Sequence, residues 1–353
     1  MKKILVVCAA ITLSCFLVHA QEAEDTGRGA GLSVISRLDA GVNSDKNEGT
    51  YFSFGNTSLY TLFEGNISEN WSFSVANHWL GADFEGPGFK YGLLYPTGDL
   101  YANTFNLPFT GKSGNSIIDW AYASYTYDNW VLSVGKIPLA VGGFEFDEYD
   151  FDVNPATTST LWNSFFVYQR GFSIAYTTAD EAHTITAQIS TNQYNNSPAL
   201  AIKWNGEIGI WSTNYSVMLS DRCRPLSNNN SVSAIISIGN RLAYKYLYLT
   251  IDMINRAGDP LYNYTDIDGF TFLSTLGVKA SETLDLSAKY CLESFHQLDG
   301  EDYYYLDFVR PIFSIQADWH PIDNLRVQGY AGVTEGLAYA AIGATYTFDF
   351  KLW

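Results

Sequence analysis

The chain has 353 residues, a formal net charge of −17, 16 % aromatic and 16 % charged residues, and 29 glycines. So acidic a balance excludes nucleic acid as a partner, because binding phosphate backbones needs a basic footprint. No linker, low-complexity tract or composition shift divides the sequence, so its length does not resolve into two domains.

Residues 1–20 read as a secretory signal peptide. Lys2 and Lys3 precede an apolar run from Ile4 to Val18, and Val18, His19 and Ala20 stand before the polar Gln21. Small residues three and one before the cut place cleavage after Ala20. A retained signal anchor is the alternative. Cys8 and Cys15 lie inside the signal without the pattern of a lipoprotein, and the remaining Cys223 and Cys291 are too isolated for a disulfide framework. Residues 21–30 are then a short periplasmic segment, and 31–353 form one unit.

Within that unit no later apolar run approaches the ~18 residues of a membrane helix. Alternation of apolar and polar residues instead marks sixteen candidate strands. They lie near 31–43, 57–68, 71–82, 116–127, 130–141, 163–179, 182–193 and 198–205, then 209–221, 231–242, 245–257, 269–280, 283–296, 303–319, 325–335 and 338–352. In one of them Leu284, Leu286, Ala288, Tyr290 and Leu292 face away from Asp285, Ser287, Lys289, Cys291 and Glu293. A soluble β-sandwich would bury that apolar face, whereas a membrane barrel turns it to lipid and lines its lumen with the polar one.

The connections decide between them. Short turns at Glu69–Asn70, Asp128–Asn129, Asp180–Glu181, Gly206–Ile208, Leu242–Tyr244, Ser281–Glu282 and Pro321–Asn324 alternate with longer loops, among them 83–115, 142–162, 222–230 and 258–268. Short periplasmic turns alternating with long external loops are the rhythm of an all-β, membrane-spanning, antiparallel up-and-down barrel. The count is about 16 strands, with 14 or 18 as neighbouring solutions. Trp71, Trp130, Trp319 and Trp353 stand beside short turns or at the end of the chain, where an aromatic girdle meets the headgroups.

The last run, AIGATYTFDFKLW, resembles the insertion signal of outer-membrane barrels through Gly343, Tyr346, Phe348, Phe350 and the terminal Trp353. Trp353 is off the parity of the other aromatics, and Ile342 occupies a place where a polar residue is usual.

LSVGKIPLAVGGFEFD (132–147), with AYASYTY before it and FVYQRGFSIAYTT after it, resembles the phosphate-selective porin family of Bacteroidetes-type outer membranes. The resemblance covers roughly residues 115 to 195. It implies a sixteen-stranded pore, often trimeric, with loops folded into the lumen. The expected partners of an outer-membrane barrel are outer-membrane lipid and lipopolysaccharide, the barrel-assembly machinery and further copies in a homotrimer. Phosphate-selecting members carry a ladder of basic residues. Here the polar faces offer Arg37, Lys203, Arg241, Lys279, Lys289, Arg310 and Arg326 against Asp39, Glu64, Asp119, Asp252, Asp285, Glu293 and Asp318. The two signs cancel, so no such ladder is expected.

The resemblance also implies that loop 142–162 bends inward. Gly142 and Gly143 permit the bend, and Glu145, Asp147, Glu148, Asp150 and Asp152 then place negative charge at a constriction that favours cations or neutral solutes. A solvated acidic loop tip is the alternative. A calcium site is a further one, although DEYDFD lacks the spacing of an EF-hand. No nucleophile elbow, zinc-protease motif or phosphate-binding loop is present, so neither an enzyme nor a metal or cofactor is expected. The expected function is passive diffusion of small hydrophilic solutes, non-specific or mildly cation-preferring. The alternative is a non-conducting barrel that serves as an accessory subunit of an outer-membrane complex.

Overall fold

The computed structural model describes residues 28–46, 49–53, 57–82, 118–147, 159, 168–191, 198–222, 231–261, 265–298, 305–334 and 337–352. The signal segment, Glu148, Asp150, Asp152, Trp353 and loop 83–115 fall outside them. Seventeen strands and one short helix make up the described chain. They are β1 (Gly29–Asp45), β2 (Gly49–Ser53), β3 (Thr57–Asn66), β4 (Trp71–Ala82), β5 (Ile118–Tyr127), β6 (Trp130–Pro138), α1 (Phe144–Asp147), β7 (Tyr168–Thr177), β8 (His183–Thr191) and β9 (Pro198–Ile208). The series continues as β10 (Trp211–Arg222), β11 (Ser231–Tyr244), β12 (Leu247–Leu261), β13 (Thr265–Lys279), β14 (Leu284–Leu298), β15 (Tyr305–Ile322), β16 (Leu325–Thr334) and β17 (Leu337–Lys351).

From β3 onward each strand pairs antiparallel with the next, and β17 returns to β1, where Gly31 meets Lys351 and Asp45 meets Leu337. The sheet is therefore closed and has no free edge. β1 pairs with β2 from Gly41 to Asp45 and with β3 from Gly29 to Arg37. β2 and β3 are thus two pieces of one strand position, and the barrel has the sixteen positions expected.

Side chains sort by parity as a barrel requires. Outward positions such as Leu38, Val134, Ile189, Ile202, Val217, Ile238, Met253, Phe313 and Ile342 are exposed and apolar. Inward positions such as Gln188, Ser216, Ser237, Thr271, Glu293, Ser314 and Gln328 are polar and buried. This inversion of the soluble pattern rules out the sandwich.

Two short turns lie a little further along than expected. β9 continues through Gly206 to Ile208, and the turn is Gly209–Ile210; β11 continues to Tyr244, and the turn is Lys245–Tyr246. Gly209 and Lys245 have φ of 63° and 55°, as Asp128 does at 52°. A positive φ at the first turn residue matches the primed turns that suit the twist of two-residue hairpins.

Candidate functional site

Pro138 ends β6, since proline has no N–H to continue a ladder. The chain then runs inside the barrel as a strap from Leu139 to Asp147. Leu139 and Val141 are buried with the inward Met218, Ile235, Ile254 and Leu273 in one apolar cluster. The backbone meanwhile bonds to the wall. Ala140 N donates to Gln188 Oε1 at 2.6 Å on β8, and Gly142 N to Ser216 Oγ at 2.6 Å on β10. Ser237 Oγ on β11 donates to Gly142 O at 2.6 Å, and Gly143 N donates to Asn214 O at 3.0 Å.

The two glycines have distinct reasons. A Cβ on Gly142 would come within 2.8 Å of the Ser216 nitrogen and the Tyr215 carbonyl carbon, both backbone atoms that cannot swing aside. Gly143 adopts φ of 95°, a region side chains disfavour.

α1 follows immediately. Its first N–H groups, Phe144 and Glu145, donate to Asp252 Oδ1 at 2.9 Å and Oδ2 at 3.0 Å, so a carboxylate from β12 caps it across the lumen. Glu145 continues the reach to β14. Its carboxylate accepts from Ser159 N at 2.7 Å and Ser159 Oγ at 2.8 Å, and pairs with Lys289 Nζ at 3.4 Å. Arg241 stacks its guanidinium 4.3 Å from the centre of the Phe144 ring. Burial pushes the Glu145 carboxyl above its ordinary range, while Lys289 and the Ser159 bonds pull it down and Glu293 pushes it further up.

Glu145 therefore fastens the strap instead of facing open lumen. Asp147 closes α1 at the backbone, and its side chain lies outside the described residues, as do Glu148, Asp150 and Asp152 entirely. The inward charges form pairs. Arg37 and Asp39 lie 3.4 Å apart on β1, with Gln328 accepting from Arg37 at 3.2 Å and Tyr330 donating to Asp39 at 3.3 Å. Arg326 meets Asp318 at 2.9 Å. Lys203 is half-buried, Lys279 is exposed near a short turn, and Glu293 is buried. Arg310 opposes Glu293 in register, but its side chain is outside the described residues.

Gln188, Asn214, Ser216, Ser237 and Ser159 hold the strap and were not singled out by the sequence. Their only signal is an inward, small and polar position, which many other residues share. Trp71, Trp130 and Trp319 all face outward at short-turn ends, the first two 5.0 and 4.7 Å from Tyr125 and Tyr176. A similar aromatic group surrounds the outward Asn240, which accepts from Trp211 Nε1 at 3.0 Å and Tyr215 Oη at 2.7 Å. Tyr346, Phe348 and Phe350 share the outer face of β17, while Gly343 faces inward, where a Cβ would overlap Asp39.

A cavity of about 740 Å³ occupies the short-turn end of β1, β3, β4, β5, β6 and β17, with Ser33, Glu64, Ser72, Ser124, Thr126 and Asp349 on its walls. Among the described residues no cluster of His, Cys, Asp or Glu is arranged to hold a metal ion, and no helix is long and apolar enough to cross a membrane.

Neither a protein-family model nor a curated protein matches the sequence. Solved structures do match the fold. Salmonella typhi OmpF in complex with daunomycin aligns with a TM-score of 0.61 at 13 % identity, over 93 % of this chain and 100 % of that one. OmpT expressed in the outer membrane of Vibrio cholerae aligns at 0.59 and 9 % identity, over 94 % and 100 %. The trimer form of OmpT, an outer membrane protein of the same organism, aligns at 0.57 and 10 %, over 91 % and 100 %. By its closed ring, its inverted faces and these likenesses, the chain has the fold of an outer-membrane porin barrel.

Proposed function

We propose that the protein is an outer-membrane porin through which small hydrophilic solutes diffuse passively, non-specifically or with a mild preference for cations. The observation that carries this reading is the strap. It lies against the inner wall from β8 to β14, while a cavity with mixed polar and apolar lining occupies the short-turn end of β1, β3 to β6 and β17. The basic inward residues Arg37, Arg326 and Lys289 each face a carboxylate partner. A pore so balanced has no ladder to desolvate an anion, so the build resembles the phosphate-selective porin family without that selectivity. The acidic run from Asp147 to Asp152 is the element that biases the lumen toward cations.

Residues 1–20 are a signal peptide cleaved near Ala20, 21–30 a short periplasmic segment whose last two residues, Gly29 and Ala30, already open β1, and the short turns face the periplasm. The partners are outer-membrane lipid and lipopolysaccharide, the barrel-assembly machinery that reads the β17 aromatics, and further copies of the chain in a homotrimer. No catalysis, metal or cofactor enters the mechanism.

One observation favours a second reading, a non-conducting accessory barrel. Inward residues of the β11–β15 wall are packed out of solvent, with Ser237, Thr271, Cys291 and Glu293 all at 0 % exposure. Planar-bilayer recording of the purified protein under a salt gradient separates the two. Stepwise channels with a cation-selective reversal potential are the expected result. A folded barrel that never conducts would establish the accessory role instead.

A further inference from the structure

The outer face of β5 to β8 is apolar along most of its height, with Val134, Phe172, Ile174, Ile185, Ala187 and Ile189 at outward positions. Near its long-loop end the pattern breaks. Lys136 and Arg170 are direct register partners on β6 and β7. Their neighbours on the other face are the inward pair Gly135 and Gly171, and beyond these the inward Gln169, bonded to the buried Ser190, fixes the parity. Both cations therefore stand on the outside of the barrel. Arg170 is exposed; Lys136 is half-buried and donates to the Ile118 carbonyl at 2.6 Å.

A cation facing hydrocarbon is costly, and least so near an interface. Along β6 from the girdle residue Trp130 to Lys136 the strand path is roughly 20 Å at ~3.3 Å per residue, which a tilt of about 40° reduces to roughly 15 Å of height in a band of about 25 Å. A spanning strand needs only about 9–11 tilted residues, and β6 ends at Pro138. The pair thus lies in the upper half of the apolar band, two residues short of the end of β6, where long, flexible stems extend toward the headgroups. Asp119 attracts the Lys136 ammonium and Arg170 repels it. Two cations against one carboxylate leave a surplus of positive charge on this patch of an otherwise acidic chain.

We propose that Lys136 and Arg170 form a binding site for the phosphate of an anionic lipid headgroup in the leaflet on the long-loop side. Arg170 supplies the planar fork of donors suited to phosphate oxygens, and Lys136 a second charge beside it. The site holds the β5–β8 wall at a fixed depth. This inference rests on reading the barrel as membrane-embedded, and it is independent of conduction.

The test uses the full-length mature barrel in a neutral detergent, with lipid retention read by native mass spectrometry. Diphosphorylated lipid A, its dephosphorylated analogue and inorganic phosphate are the probes. Retention of the phosphorylated lipid alone is expected, with affinity falling roughly thirtyfold in the Lys136→Gln/Arg170→Gln double variant and largely kept in Arg170→Lys. Equal retention of both lipids, unchanged retention in the double variant, or displacement of lipid by millimolar inorganic phosphate would each overturn the site. Unchanged bilayer conductance alongside failed lipid binding discards this inference and leaves the pore reading standing; the reverse pattern discards the pore alone.

Discussion

Glu145 shows how one side chain changes meaning between sequence and structure. In the sequence it is the first acid of an acidic run; in the barrel it is a buried anchor shared by Lys289 and Ser159. Glu145→Ala deletes the buried carboxyl that accepts from Ser159 N, Ser159 Oγ and Lys289 Nζ, a loss of about 1–3 kcal/mol for a buried acceptor removed. The expected outcome is a lower thermal midpoint in detergent and noisier open channels with little change in reversal potential. Double-mutant analysis with Lys289→Met, which removes both charges, should recover part of the loss. Gly142→Val tests the approach of strap to wall, because its Cβ would press on the Ser216 and Tyr215 backbone. A cost of about 1–3 kcal/mol is expected, seen as protease sensitivity within residues 139–147 while the barrel stays folded.

At the scale of elements, the strands were legible and the strap was only half so. A two-residue period with one apolar face places β8, β12 and β14 to within a few residues, because lipid and lumen impose opposite chemistry on alternate positions. The Gly206 turn was misplaced because glycine signals a turn only where φ must be positive, and here that residue is Gly209. Nothing in the composition marks Lys245. Gly142 and Gly143 announce a bend, but where the bend lands depends on Ser216 and Ser237, 74 and 95 residues from Gly142, and on Asp252, 108 residues from Phe144. No local pattern carries such contacts. The docked strap should also respond to pH. The Glu145 carboxyl is raised by burial, with Lys289, Glu293 and Asp252 as the charged groups around it. A carboxyl raised on docking contributes stability below its ordinary range and loses it as pH rises through the raised value. Channel noise should therefore fall on acidification from neutral pH, and Glu145→Gln should abolish that dependence.

At the scale of the molecule, the cavity at the short-turn end of β1, β3 to β6 and β17 and the strap docked on the β8–β14 wall occupy different parts of the lumen. Ion selectivity then depends on acids beyond the anchor. Asp147→Asn with Glu148→Gln should move the reversal potential toward zero by several millivolts under a tenfold salt gradient, without altering thermal stability. An unchanged potential would remove the loop from the selectivity mechanism and leave the paired wall charges to set it. The sequence showed those charges to be balanced; it did not show that Arg37 with Asp39, and Arg326 with Asp318, would be neighbours.

The ring is closed by its first and last strands. Ser33 on β1 donates to Asp349 on β17 across 316 residues of sequence. Until β17 has been synthesised, β1 has no partner on one side, and every earlier intermediate carries two open edges that invite aggregation. Contacts so distant in sequence also slow folding, because loop-closure entropy is lost before they form. A chain closed in this way gains from staying extended until its last strand is available, and zippering of β1 onto β17 is the step that commits it.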